Sequence, residues 1–332
     1  MRATLSGLVA VPPRPLSGIV DGLRTRQIAR QLRPHDPPLL RALPQGFSDI
    51  LVLRWDGEAG RTLVVKHARC DRAVPALARE SDVLRRLAGD GRLPGWHRML
   101  PTTVEARLDA RLPVVLQSLV PGTSAETLLR RNPQDAGRIT RVSLAAVTEL
   151  HRATGRMEDA GDRIDGWVAP RLAVLADHVR WCRTGAGAAG LAAVQHRLHQ
   201  GLTHRQTWVA WTHGDFAPGN VLMNEDGDRV TGMVDWADAD PDGPSEVDRC
   251  TFALALGWLL DGRTMGEQVV DAVRTGSLRV EEVGGDQPSD IVLLTWLWHV
   301  AANFEKSRQY SRNRQWVRAN VVSVLEEAAR WS

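Results

Sequence analysis

Residues 208–248 carry two short polar signatures at the ends of strand-like stretches. His213-Gly214-Asp215 comes first, with Asn220 five residues beyond the aspartate, and Asp235-Trp236 follows, with Asp235 twenty residues beyond Asp215. Between them Asn224-Glu225-Asp226-Gly227-Asp228 has the composition of a tight turn joining residues 221–223 to 230–234. A hairpin of that size brings its ends together, so Asp215, Asn220 and Asp235 are expected to converge. Two carboxylates and an amide carbonyl are hard oxygen ligands. They suit Mg²⁺, which keeps part of its water shell and shares the phosphate oxygens of a substrate.

A second pair of residues lies far upstream. The chain has forty arginines but only two lysines, Lys66 and Lys306, and Lys66 ends a strand-like run, Arg61-Thr62-Leu63-Val64-Val65-Lys66. An ammonium is a compact point charge and a guanidinium a wide planar fork, so a confined phosphate contact can require lysine. A strand-end lysine with a solvated head is the plainer alternative. Residues 75–88 then place Leu77, Val83, Leu84 and Leu87 on one face of a helix, with Glu80 in the middle of that face. A carboxylate on a buried face is costly unless paired. Lys66, fourteen residues earlier, is the partner within reach.

At these residues the chain resembles the aminoglycoside phosphotransferase and choline kinase group, relatives of the protein kinases. His-Gly-Asp with the asparagine at plus five is similar to the kinase catalytic loop, and Asp235 stands where the kinases have the aspartate of Asp-Phe-Gly. The resemblance implies a two-lobed, protein-kinase-like α+β fold. A small antiparallel β-rich lobe to about residue 119 binds nucleotide, its first 40 residues forming an arm and a helix. A larger, mostly helical lobe over 120–332 carries the catalytic loop and the acceptor site. It implies Mg²⁺-dependent transfer of the γ-phosphate of ATP or GTP to a hydroxyl of a small molecule, such as an antibiotic, amino alcohol or sugar. Asp215 would accept or orient the hydroxyl proton, Asn220 and Asp235 would hold Mg²⁺, and the Lys66–Glu80 pair would reach the nucleotide phosphates. Gly46 and Ser48 match a phosphate-covering loop, with Asp49 in place of the usual asparagine, although the stretch also reads as a plain loop entering a strand. Gln117 to Leu119 would form the hinge that meets the base through backbone groups. A catalytically silent nucleotide-binding module on the same fold is the alternative.

Other residues support scaffolding. His213 and His151 are expected to be structural, and Ser245 with Asp248 has capping-box-like spacing for the helix that follows. The run Asp238, Asp240, Asp242, Gly243 imitates a calcium loop, but Arg249 stands where the glutamate is needed. It is expected to be a solvated acidic loop, or else a wall that favours a cationic acceptor. Trp296, His299 and Asn303 share a helix face, either as a packed stripe or as the lining of an acceptor pocket.

Composition narrows the classes. The 332 residues are 43% hydrophobic and 24% charged, with a net charge of +3, which suits a soluble two-lobed protein and gives no polyanion-binding signature. Three distant cysteines, Cys70, Cys182 and Cys250, without metal-ligand spacing, imply reduced, buried thiols and a cytoplasmic protein. The apolar run 291–304 is too short to span a bilayer and reads as a buried helix. Residues 1–17 read as an irregular arm. Helices are expected at 18–32, 75–88, 134–152, 170–183, 191–205, 246–261, 264–275, 288–305 and 313–330, with a Gly/Ala-rich loop at 184–190. Strands are expected at 50–55, 61–66, 102–109 and 113–120.

Overall fold

The computed structural model describes residues 15–33, 35–43, 48–57 and 61–331. They fall into two compact units. One runs to Pro121 and takes in Gly232–Ala237; the other comprises Gly122–Thr231 and the chain from Asp238 onward. Most of the arm at 1–17, and Gly46, lie outside the described residues.

The first unit is built on an antiparallel sheet of β1 (Leu40–Ala42), β2 (Ile50–Asp56), β3 (Thr62–Ala68), β4 (Thr103–Arg107) and β5 (Val114–Ser118), in the order β1-β2-β3-β5-β4. Alternation of side chains assigns the two faces. Leu51, Leu53, Val65, Val114 and Leu116 pack with Ile28 and Leu32 of helix α1 (Pro15–Leu32). Val115 and Ala68 pack on the other side with Leu77 of helix α2 (Val74–Ala88). Leu77, Val83, Leu84 and Leu87 are all buried, each contributing about 1.5–3 kcal/mol over an exposed side chain. Lys66 follows Val65, so it points to the α2 side of the sheet.

The second unit is mostly helical. After β6 (Thr123–Ser124) come α3 (Ala125–Arg131), α4 (Ala136–Thr154), β7 (Arg156–Asp159), α5 (Ile164–His178), α6 (Gly185–Leu202) and β8 (Gln206–Thr212). Then follow β9 (Val221–Met223), β10 (Val230–Met233), β11 (Asp240–Pro244), α7 (Glu246–Asp261), α8 (Met265–Thr275) and α9 (Ser289–Lys306). The turn before β10 is built as its residues require. Asn224 Oδ1 accepts from the N–H groups of Asp228 and Arg229, and Gly227 takes φ +64°. Helix α9 is buried on nearly every side, and among the described residues no helix is long and apolar enough to cross a membrane.

Four expectations need correction. Residues 185–190 are helical, because their glycines serve close packing: a Cβ on Gly187 would lie 2.2 Å from the Trp181 carbonyl oxygen and one on Gly190 2.4 Å from that of Leu325. The last helix is interrupted by a π turn at Arg318–Val322. There Asn320 accepts from Trp296 Nε1 and from the Gly266 N–H while its amide donates to the Trp316 carbonyl, so tertiary bonds set the backbone. The acidic run is no solvated loop: Asp240–Pro244 is an edge strand paired with β8 in the three-stranded sheet β11-β8-β7, a position that tolerates Pro241. Cys182 and Cys250 are buried, but Cys70 is exposed, just before the turn at Asp71–Ala73 that precedes α2.

Candidate active site

In the first unit the chemistry gathers on β3. Lys66 and Glu80 are 5% and 2% exposed. The lysine Nζ lies 2.7 and 2.9 Å from the two Glu80 oxygens and 2.5 Å from Asp235 Oδ1. Burial alone would push the ammonium's pKa down. The Asp235 carboxylate, and then that of Glu80, overcome it and hold Lys66 protonated well above the usual lysine range. Asp235 adopts φ +64°, a left-handed conformation that aspartate tolerates better than most residues. Trp236, next in the chain, is fully buried and donates from Nε1 to the Met233 carbonyl, which anchors the segment.

In the second unit the catalytic-loop residues follow directly from the end of β8. Asp248, on the first turn of α7, is fully buried. Its Oδ2 accepts from the His213 N–H at 2.8 Å and its Oδ1 from the Gly214 N–H at 2.9 Å. The same Oδ2 is 2.9 Å from His151 Nε2 on α4. Asp248 therefore holds the loop, and the Ser245 hydroxyl makes no capping bond, so the capping box read from the spacing is not formed. Gly214 has φ +76°, and a Cβ there would sit 2.1 Å from the Asp238 carbonyl oxygen, so both conformation and space demand glycine. Asp215 is buried at 6% exposure, and its backbone carbonyl accepts from Asn220 Nδ2 at 2.8 Å. With its amide nitrogen so engaged, Asn220 has its carbonyl Oδ1 left as the side-chain atom able to accept or ligate. His213 is fully buried and stacks edge-on against Phe216, a scaffold role.

Two further groups face Asp215. Lys306 Nζ, at the end of α9, is 2.7 Å from Asp215 Oδ2 and 2.7 Å from Asp238 Oδ2. His299 Nδ1, two turns earlier, is 3.8 Å from Asp215 Oδ1. Burial would raise the Asp215 pKa, but the Lys306 ammonium overrides it, holding the carboxyl well below the usual carboxylate range. His299 adds to that field only when charged. Burial pushes its own pKa down, so near neutral pH the ring is neutral and Lys306 is the operative cation. Of the stripe read on α9, His299 faces the site, Asn303 is buried with Nδ2 unpartnered, and Trp296 belongs to the core. The spacing of the motif did not point to Lys306. The scarcity of lysine that singles out Lys66 applies equally to it.

The remaining expected site residues are placed as follows. The Ser48 hydroxyl accepts from the Ile50 N–H and its carbonyl accepts from Arg69, so it closes the entrance to β2. Gln117 lies within β5 between β3 and β4, buried, with Nε2 unpartnered. The Leu119 N–H donates to the Thr62 carbonyl at 3.3 Å, so that amide is already engaged within the unit. Asp235 in the first unit, a carboxylate whose side chain is half exposed, and Asn220 in the second, through its amide carbonyl, each present a hard oxygen of the kind Mg²⁺ takes. Among the described residues no group of three or more His, Cys, Asp or Glu side chains forms a metal cage of its own.

Comparison with known proteins bears on the fold and the family. The chain is similar to the solved structure of an aminoglycoside-3'-phosphotransferase of type VIII, with 20% identity, 82% of this chain and 99% of that one covered, and a TM-score of 0.52. It is similar to the GDP and kanamycin complex of APH(2")-IIia, at 15% identity, with 93% and 99% covered and a TM-score of 0.53. It is also similar to the gentamicin complex of APH(2")-IIa, at 12% identity, with 96% and 99% covered and a TM-score of 0.53. At these identities the likeness is one of fold, and the fold is the two-lobed, kinase-like one. No curated protein matches the chain. The model of the phosphotransferase enzyme family, APH, matches residues 39–246, well over half the chain, and the chain belongs to that family.

Proposed function

We propose that the protein is a Mg²⁺-dependent small-molecule O-kinase, transferring the γ-phosphate of ATP or GTP to a hydroxyl of its acceptor. The observation that carries this reading is the buried Lys66, held by Glu80 on one side and Asp235 on the other. Two carboxylates around one lysine over-neutralise it, and a bound metal and polyphosphate would rebalance the charge. In this reading the first unit binds nucleotide, with Lys66 reaching its phosphates and the segment 117–119 near the base. Gly46 and Ser48 belong to the loop over the phosphates. The second unit holds the acceptor.

Asn220 and Asp235 are the residues assigned to hold Mg²⁺, which when bound neutralises charge on the phosphates. Asp215 orients the acceptor hydroxyl and takes its proton as the phosphoryl group leaves the nucleotide. Its low pKa is no obstacle, because this transfer depends on positioning and charge neutralisation more than on a strong base. Asp248 and His151 keep the loop in place. The protein acts in the cytoplasm, with its thiols reduced.

A second reading, a catalytically silent nucleotide-binding module, is favoured by the Lys306 ammonium lying on Asp215 Oδ2. One experiment separates the two. Nucleotide consumption is followed with Mg-ATP and Mg-GTP over aminoglycosides, peptide antibiotics, amino alcohols and sugars, for wild type and Asp215→Asn. Acceptor-dependent turnover lost in the variant supports the kinase. Tight nucleotide binding without turnover supports the silent module.

A further inference from the structure

The acids around Asp215 look at first like a lure for a cationic acceptor, but each is already matched from within the second unit. Asp238 and Asp215 share Lys306. Asp242 is 2.8 Å from Arg156 and 3.9 Å from Arg163. Asp240 accepts the Asp242 N–H and lies in the field of Arg171, a largely buried guanidinium centred 3.6 Å above the Trp298 ring. Each carboxylate of this wall has a cation beside it, although Asp215 and Asp238 share a single ammonium and so keep one net negative charge between them.

We propose that Lys306 sets acceptor specificity: it holds the cation place between Asp215 and Asp238, so the acceptor presents an oxygen group, not an ammonium, beside the hydroxyl that is phosphorylated. The inference rests on the kinase reading above. An acceptor ammonium can reach Asp215 only by displacing Lys306 Nζ or by sitting against it. Displacement competes with a tethered group of high effective concentration. Sitting against it sets like charges side by side in a buried site, where repulsion is strong. A hydroxyl, carbonyl or carboxylate meets neither obstacle. The Lys306 side chain is 25% exposed, so its ammonium can donate to such a group. His299 and Asn303 stand four residues apart on the same helix face as Lys306, each with one buried nitrogen that has no protein partner, Nε2 and Nδ2. Lys306 Nζ and Asn303 Nδ2 are donors and suit oxygen acceptors, while the neutral His299 ring, with Nδ1 toward the Asp215 carboxylate, leaves Nε2 as an acceptor.

The test does not depend on turnover. Kanamycin, as the polycationic probe, is titrated into wild type, Lys306→Met, Lys306→Gln and Lys306→Arg by calorimetry and by thermal shift, with folding checked by circular dichroism. Sodium glucuronate serves as the anionic probe. The expected result is kanamycin binding at least tenfold tighter in Lys306→Met and Lys306→Gln than in wild type, with no gain in Lys306→Arg and no gain for glucuronate. Equal or tighter kanamycin binding by wild type overturns the proposal, as does the absence of any gain in both neutral variants. So does an acceptor phosphorylated on a hydroxyl whose neighbouring carbon bears a protonated amine. Failure of the kinase reading has a different signature, the absence of Asp215-dependent transfer to any acceptor, and leaves the binding comparison intact.

Discussion

Lys306 Nζ lies 2.7 Å from Asp215 Oδ2, so the second of the chain's two lysines rests on the carboxylate assigned to orient the acceptor hydroxyl. The contact decides the ionisation of Asp215. Burial and the ammonium act in opposite directions, and the ammonium prevails. A carboxylate with a depressed pKa contributes stability at every pH above the ordinary carboxylate range. That contribution is lost only as the pH falls through the lower, folded-state pKa. In Lys306→Met the main opposing charge is gone and burial is countered only by His299 and His213, so the Asp215 pKa must rise. The acid limb of the pH–rate profile, flat in wild type down to ordinary carboxylate pH values of about 4, should move upward by at least one unit in the variant. A profile that does not move would show that Lys306 does not govern Asp215.

Lys66 poses the reverse problem in the first unit. Its pKa is raised, so the stability it confers is fully present below the ordinary lysine value of 10.5 and is lost as the pH rises through the higher, folded-state value. At neutral pH the pair with Glu80 is therefore intact. Removing one partner leaves a buried charge uncompensated. Lys66→Met should cost about 3–5 kcal/mol in denaturant unfolding and weaken nucleotide binding. Because the cost lies in the stranded carboxylate, Lys66→Met/Glu80→Leu should be more stable than Lys66→Met alone. A double variant less stable than the single one would mean that packing, not charge, explains the loss.

Asp248 acts on the loop through hydrogen bonds alone. Its two oxygens serve the His213 and Gly214 N–H groups and His151. In Asp248→Asn one acceptor becomes an NH₂ group that must face a donor, which costs about 1–3 kcal/mol. The loop would loosen around Asp215, so kcat should fall at least tenfold while the KM for nucleotide, which the proposed function assigns to the other unit, stays within about twofold, on the scale at which misplaced groups lose rate. A change in nucleotide KM with kcat preserved would contradict a positioning role.

The sequence made the site more legible than its surroundings. The Lys66–Glu80 pair was readable because a buried charge has few tolerable settings, and that setting leaves a residue type at a spacing. Asp248 was misread because a capping box and a loop anchor both begin from an aspartate early in a helix, and only the fold shows where its oxygens turn. Lys306 was missed because it is ninety-one residues from Asp215, and no local pattern joins the end of α9 to the end of β8. The strand at Asp240–Pro244 was hidden by acids and prolines that suit an edge as well as a loop. The 184–190 stretch failed for another reason: glycine there was read as a breaker when it marks close approach.

That distinction can be tested within one protein, because two helical glycines make opposite demands. Replacing an exposed helical glycine with alanine removes backbone entropy from the unfolded chain and favours the helix by about 0.4–1 kcal/mol. Gly166, in α5, has nothing within 4 Å of an added Cβ, so Gly166→Ala should stabilise by that amount. Gly190, in α6, would place its Cβ 2.4 Å from the Leu325 carbonyl oxygen and 2.9 Å from Leu325 Cβ. Backbone cannot yield as a flexible side chain does, and overpacking of this kind costs about 1–3 kcal/mol, more than the propensity gain. Gly190→Ala should therefore destabilise by a net 1–2 kcal/mol, read as a lower midpoint in urea with an unchanged slope. Equal stabilisation by both substitutions would mean that α6 and the helix carrying Leu325 (Ser323–Ala328) are not packed at this distance in solution.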